Sequence, residues 1–227
     1  MTTATEDGLL AANPWNIKGT GIEPAEERPI PTVAQVHAIA ETIHPQYRCI
    51  VLLAGFVGLR KGELLGLRRC DLDLEAGELS VVQQRQLDRH GQHLVGPPKT
   101  AAGKRTIALP ASLIPDLEHH LDEYAEPGRY GYVFTGQQGN PLAPHVLHGA
   151  WSRARAAHDL DHTHLHDLRH LAGTLAASTG AGTKELMYRH GHASPQAALR
   201  YQHATRMRDV ALAMEVNRLI AADETPQ

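Results

Sequence analysis

Four short segments carry side chains whose types and spacing could do chemistry on an anion. In Gly58-Leu59-Arg60-Lys61-Gly62-Glu63-Leu64, an arginine follows an apolar helix and a glycine, so a fixed cation projects from a rigid base. Glu63 lies three residues on, near enough to orient the guanidinium. In Pro97-Pro98-Lys99-Thr100, followed by Lys104-Arg105-Thr106, a lysine at a hairpin tip is held by two prolines and could reach into a cleft as a proton donor. In His166-Asp167-Leu168-Arg169-His170, His166 and Arg169 are three apart and share one helical face, where they could grip one anion. The fourth segment runs from Gly191-His192-Ala193-Ser194-Pro195 to Arg200-Tyr201-Gln202-His203.

Taken singly, each segment has a plainer reading: a surface ion pair, a solvated hairpin tip, packed histidines, a half-buried tyrosine. A zinc site is a further alternative, because His166 and His170 are four apart and His158, His162 and His164 crowd nearby. No Cys joins that cluster and no H-E-x-x-H pattern is present. Taken together, the four segments supply what phosphodiester cleavage needs. Two arginines can neutralise non-bridging oxygens, and two histidines can donate hydrogen bonds or move protons. A lysine can protonate a leaving alkoxide, and a tyrosine can hold the phosphoryl group as a covalent ester. The dense carboxylate set of a two-metal nuclease does not stand beside them.

The elements that must position these residues are mostly helical. Pro31-Thr32 caps a helix carrying Val33, Val36, Ile39 and Ile43, and a second helix fits Tyr47 to Val57 until Gly58 breaks it. A short third helix follows from Lys61 to Gly66. The pattern then changes to strands: Leu79 to Val82, extended by Gln83 to Arg85, then His93 to Val95, then Lys104 to Leu109, with tight turns at Gly91 and Gly103. Helical spacing returns over Ala111 to Tyr124, Pro144 to His158, Leu165 to Ser178, Thr183 to His190, Ser194 to Tyr201 and Thr205 to Ala222. The fold class expected is mainly α with a small antiparallel β-sheet. Residues 1–30 read as a linker or arm, 31–222 as one catalytic domain and 223–227 as a disordered tail.

Composition narrows the classes. The 227 residues suffice to bury a core, and 42% hydrophobic with 21% charged residues is ordinary globular usage. The net charge of -3 excludes a uniformly basic coat but not a basic face. Basic residues gather near the four segments, and acidic ones in 23–27, 71–78 and 116–126. Cys49 and Cys70 cannot staple a domain of this size; both read as buried thiols in a reducing cytosol. The sequence shows no signal-peptide pattern, and its longest apolar run, Cys49 to Val57, is too short for a membrane span.

The order Arg60, Lys99, His166-x-x-Arg169, His192, Tyr201 resembles the catalytic domain of the tyrosine recombinases, the phage integrase family. The contexts G-L-R-K-G-E-L-L-G-L, P-P-K-T, H-D-L-R-H and G-H-A-S-P-Q-A-A-L-R-Y-Q-H are similar too, and the resemblance extends over about Arg28 to Ala222. It implies the tyrosine recombinase catalytic-domain fold and a site-specific strand exchange. Tyr201 would attack the scissile phosphate to give a 3′-phosphotyrosine and a free 5′-hydroxyl. Arg60 and Arg169 would clamp the phosphate, with His192 donating to it. Lys99 would serve as general acid toward the 5′ oxygen, and His166 would assist proton transfer from Tyr201. Glu63 would orient Arg60, and His170 would pack in support. No ATP, metal or other cofactor is implied. The implied partners are double-stranded DNA, further copies of the chain (a tetramer on DNA, a monomer alone) and accessory DNA-bending or directionality proteins, in the cytoplasm and at the nucleoid, with no membrane. Thr205 to Ala222 reads as an amphipathic helix that caps its own domain or, as the resemblance implies and as is often so in the family, docks into a neighbouring subunit.

Two features depart from the family pattern. Only about thirty residues precede the catalytic region, where an N-terminal DNA-clasping domain is usual, so a truncated chain or a short protein is expected. The overall charge is mildly acidic. The alternative function is therefore a DNA-binding or regulatory module with little turnover. Type IB topoisomerases share the chemistry, but the H-D-L-R-H and Y-Q-H contexts look integrase-like.

Overall fold

The computed structural model describes residues 29–88, 90–136, 139–199 and 214. The first helix, α1 (Val33–Thr42), starts where Thr32 and Gln35 cap each other: the Gln35 amide donates to Thr32 Oγ1 at 3.2 Å and the Thr32 amide to Gln35 Oε1 at 2.8 Å. It buries Val36, Ile39 and Ala40, one stripe at helical spacing. After a 3-10 turn (Pro45–Tyr47) comes α2 (Arg48–Leu52), which widens into a π-helical turn over Leu53–Val57. Its apolar run is buried almost throughout, as befits a central helix.

The π turn closes through the Gly58 amide, which donates to Leu53 O at 2.9 Å. Gly58 has φ 81, a left-handed conformation that glycine adopts at no steric cost. The chain then reverses into α3 (Lys61–Gly66). The helix break expected at Gly58 is therefore present, and the helix expected over Tyr47 to Val57 is a composite of three helical types.

The sheet region differs from one continuous sheet. Strands β1 (Leu72–Asp73), β2 (Glu78–Val81) and β5 (Arg105–Ala108) form a three-stranded antiparallel sheet in the order β1-β2-β5. Strands β3 (Gln84–Leu87) and β4 (His93–Gly96) form a separate hairpin. The expected extension of β2 through Arg85 fails because the chain swings away at Val82-Gln83 toward α3. There Gln83 Nε2 donates to Gly66 O at 2.8 Å, and a Cβ on Gly66 would lie 3.0 Å from the Arg85 backbone nitrogen. Only a glycine lets α3 and β3 approach so closely.

The hairpin turn at Gly91 is as expected, with φ 78 and Asp88 Oδ1 accepting from the His90 and Gln92 amides. Gly103 is not a hairpin turn. It ends a 3-10 turn (Ala101–Gly103) tucked under Pro98, whose Cβ would be 2.4 Å from an added Cβ. Lys99 accordingly lies on the connection between β4 and β5, not at a hairpin tip.

Helices α4 (Ile114–Glu123), α5 (Pro144–Ala156), α6 (Leu165–Ser178), α7 (Thr183–His190) and α8 (Pro195–Leu199) complete the described architecture. Helix α5 buries Leu147, Ala150, Trp151 and Ala154, and α6 buries Leu168, Leu171 and Ala172 along the π turn of α2. Each such leucine stabilises the fold by about 2 kcal/mol. Cys49 is buried as expected, but Cys70 is exposed, because the 3-10 turn over Arg69–Asp71 turns it outward while Arg68 and Asp71 pair at 2.9 Å. The arm over residues 1–28, the tail over 223–227 and the amphipathic stretch from Thr205 to Ala222 lie outside the described residues, apart from Met214, which is helical and exposed. No helix among the described residues is long and apolar enough to cross a membrane.

Candidate active site

Arg60 stands at the N-terminus of α3, where the reversal after Gly58 aims it away from the core. Glu63 accepts from the Arg60 amide through Oε2 at 2.9 Å and from Arg60 Nη1 through Oε1 at 2.8 Å. Arg60 Nη2 donates to Gly191 O at 2.9 Å. A third of the Arg60 side chain stays open (36% exposed), whereas Glu63 is only 2% exposed. Burial alone would raise the pKa of Glu63. Hydrogen bonds and charge from Arg105, then the amide and charge of Arg60, outweigh it and hold the carboxyl below the usual carboxylate range.

Arg169 lies on α6, whose first turn is capped by Asp167: its Oδ2 accepts from the His164 amide at 2.7 Å. The Arg169 guanidinium is buried and donates to Gly58 O through Nη1 and to His190 O through Nη2. Its Nη2 also lies 3.2 Å from His192 Nε2. His192 follows Gly191, whose left-handed φ of 58 ends α7. Its ring stacks on that of His190 at 5.5 Å, and His190 is fully buried. Burial first, and then the charges of Arg169 and its neighbours, push the pKa of His190 down to about 2, so it is a permanently neutral platform under His192.

His166 is one turn before Arg169. Enclosure by neighbouring atoms first, then the positive groups His170, Arg169 and Arg60, lower its pKa against the opposing pull of Asp167. A lowered pKa keeps the imidazole neutral near pH 7, the form able to accept a proton. His170 is half-buried and meets His166 edge-on at 5.3 Å.

One cavity of about 750 Å³ gathers these groups. Arg60, Lys61, Glu63, Lys99, His166 and His192 line it, from four separate stretches of chain. Glu63 is the sole carboxylate among its described lining residues, and Arg60 and Arg105 both bind it, so the hollow is electropositive. Arg169 does not line the cavity; it stands behind His192. Tyr201 lies outside the described residues. Among those described, no three His, Cys, Asp or Glu side chains cluster as metal ligands would, the crowded histidines included.

Sequence reasoning passed over the structural weight of Arg105. Its side chain is wholly buried, with Nη1 and Nη2 each 3.0 Å from one oxygen of Glu63. The signal was strand alternation: Arg105 falls on the same inward face of β5 as Ile107, and an inward arginine must find an acid.

The sequence and the fold match known proteins. The chain matches the Phage integrase family over residues 32–208. It is 39% identical over 228 residues to the prophage phiRv2 integrase of Mycobacterium tuberculosis, covering 99% of this chain and 60% of that one. It is 33% identical over 224 residues to the integrase of Mycobacterium phage L5, covering 96% and 60%. Among solved structures, the Tn1549 transposon integrase in complex with a circular intermediate DNA superposes with a TM-score of 0.77 at 27% identity, covering 96% of this chain and 75% of that one. This chain belongs to the phage integrase family, and its fold is that of the tyrosine recombinase catalytic domain. It spans about 60% of the length of the curated relatives it matches.

Proposed function

We propose that this chain is the catalytic domain of a site-specific recombinase that cleaves and rejoins double-stranded DNA through Tyr201. The observation that carries the reading is the convergence of Arg60, Lys99, His166 and His192 on one cavity with Arg169 directly behind it. The Tyr201 phenol attacks the scissile phosphorus, and His166, neutral and proton-accepting, takes the phenolic proton. Charge developing on the non-bridging oxygens is met directly by Arg60 and, through its field from behind His192, by Arg169, with His192 as a further donor. The 5′ oxygen leaves with a proton from Lys99, and the phosphoryl group stays on Tyr201 as a 3′ ester. A 5′-hydroxyl from a partner strand reverses each transfer and completes the exchange, so the bond energy is conserved and ATP is not consumed. Glu63 orients Arg60, and His170 braces His166. Full exchange further calls for several copies of the chain on DNA, in the cytoplasm and at the nucleoid, with accessory DNA-bending proteins.

The experiment is covalent capture. Nicked duplexes drawn from a random-sequence pool, which lose the short 5′-ended fragment on cleavage, are incubated with the chain and resolved under denaturing conditions. A protein–DNA adduct is expected from the wild type and none from Tyr201→Phe. A wild type that binds duplex DNA and never yields the adduct would instead make the chain a binding module.

A further inference from the structure

We propose that Arg105 is a positioning residue of this site: its two-pronged pair with Glu63 fixes the direction of the Arg60 guanidinium and leaves the positive charge of Arg60 for the phosphate. This rests on the recombinase reading above. One argument is charge. Glu63 carries one negative charge and contacts two guanidinium groups, Arg60 at 2.8 Å and Arg105 at 3.0 Å, so the trio keeps one net positive charge. With Arg60 and Glu63 alone the pair would be neutral, and a phosphate would meet a cation already satisfied.

The other argument is geometry. Arg105 is buried, and a buried guanidinium is tolerated only when its donors are well matched. Here Nη1 donates to Glu63 Oε1 at 3.0 Å and to Gly103 O at 2.9 Å, Nη2 to Glu63 Oε2 at 3.0 Å, and Nε to Arg189 O at 2.9 Å. Each acceptor belongs to a stretch that delivers a different site group. Glu63 holds Arg60. Gly103 is pinned beneath Pro98, the neighbour of Lys99. Arg189 lies two residues before Gly191, whose carbonyl takes Arg60 Nη2 and whose chain continues into His192. An added Cβ on Gly191 would lie 2.9 Å from Arg105 Nη1, so the turn bearing His192 rests directly on this guanidinium. One planar group thereby sets three stretches relative to each other, and lysine, a point charge without the fork, cannot reproduce it.

The test is a double-mutant cycle with Arg105→Lys and Glu63→Gln, read as single-turnover cleavage of a captured nicked duplex and as DNA affinity by fluorescence anisotropy. Arg105→Lys is expected to slow cleavage about tenfold while affinity changes less than about twofold, because misdirection of a transition-state group costs rate rather than binding. In the Glu63→Gln background the same change is expected to cost less than about threefold, since the route through Glu63 is already cut. Cleavage unaffected by Arg105→Lys, or slowed by the same factor in both backgrounds, would overturn the inference while wild-type cleavage leaves the recombinase reading intact. If Arg105→Lys unfolds the chain at 25 °C, Arg105 is a structural strut and the inference is overturned. A wild type that forms no adduct removes the recombinase reading and the inference with it.

Discussion

At the scale of single residues, the site depends on imidazoles held in a chosen protonation state. His190 is the extreme case: fully buried under His192 and flanked by Arg169, it has a pKa of about 2 in the fold, whereas an unfolded histidine titrates near 6.5. Below about pH 6.5 the unfolded chain takes up a proton that the folded chain refuses, so stability is full above that pH and is lost as pH falls. The lowered pKa values of His120 and His166 act in the same direction. For His190 alone the loss by pH 5 is about 2 kcal/mol. Urea unfolding followed at pH 7.5 and 5.0 should show the lower midpoint at pH 5.0. An equal or higher midpoint at pH 5.0 would contradict a neutral buried imidazole at this position.

At the scale of elements, the π turn and the left-handed residue that ends it place both arginines. Gly58 turns the chain so that Arg60 faces the cavity, and its carbonyl accepts from the buried Arg169. A Cβ there would come 2.6 Å from His190 Cε1, on a backbone already at φ 81. Gly58→Ala is therefore expected to destabilise the chain by about 2 kcal/mol or more, through strain and displacement of His190. Thermal unfolding checks it, and a melting temperature equal to wild type would contradict the role assigned to Gly58. This turn also marks what the sequence made legible. Periodicity and caps located the helices of the core, since the Thr32 cap, the Gly58 break and the α5 and α6 stripes are local signals. The π widening was not legible, because nothing in Leu53–Val57 differs from an ordinary apolar helix, and the packing of that turn against α6 is tertiary. The split of the sheet was hidden for a similar reason. It depends on Gly66 meeting β3, a contact between residues nearly twenty positions apart.

At the scale of the whole molecule, a chain with net charge -3 forms an electropositive hollow because its charges are segregated. Acidic residues of α4 are spent elsewhere: Asp116 pairs with Arg48 at 2.9 Å on the side of α1 and α2. The order of Arg60, Lys99, His166, Arg169 and His192 along the sequence was enough to nominate the site, since each sits in a distinctive local context. Their different depths were not legible: Arg60 reaches the cavity, whereas Arg169 is sealed behind His192, a distinction set by which carbonyls the helices present. If this hollow holds a phosphate while Tyr201 takes it over, the phosphoryl group must end on that one side chain. The most direct measurement is mass spectrometry of the captured adduct after protease and nuclease digestion. The expected product is a nucleotide joined through its 3′-phosphate to the Tyr201 side chain. Attachment at any other residue, or through a 5′-phosphate, would contradict it.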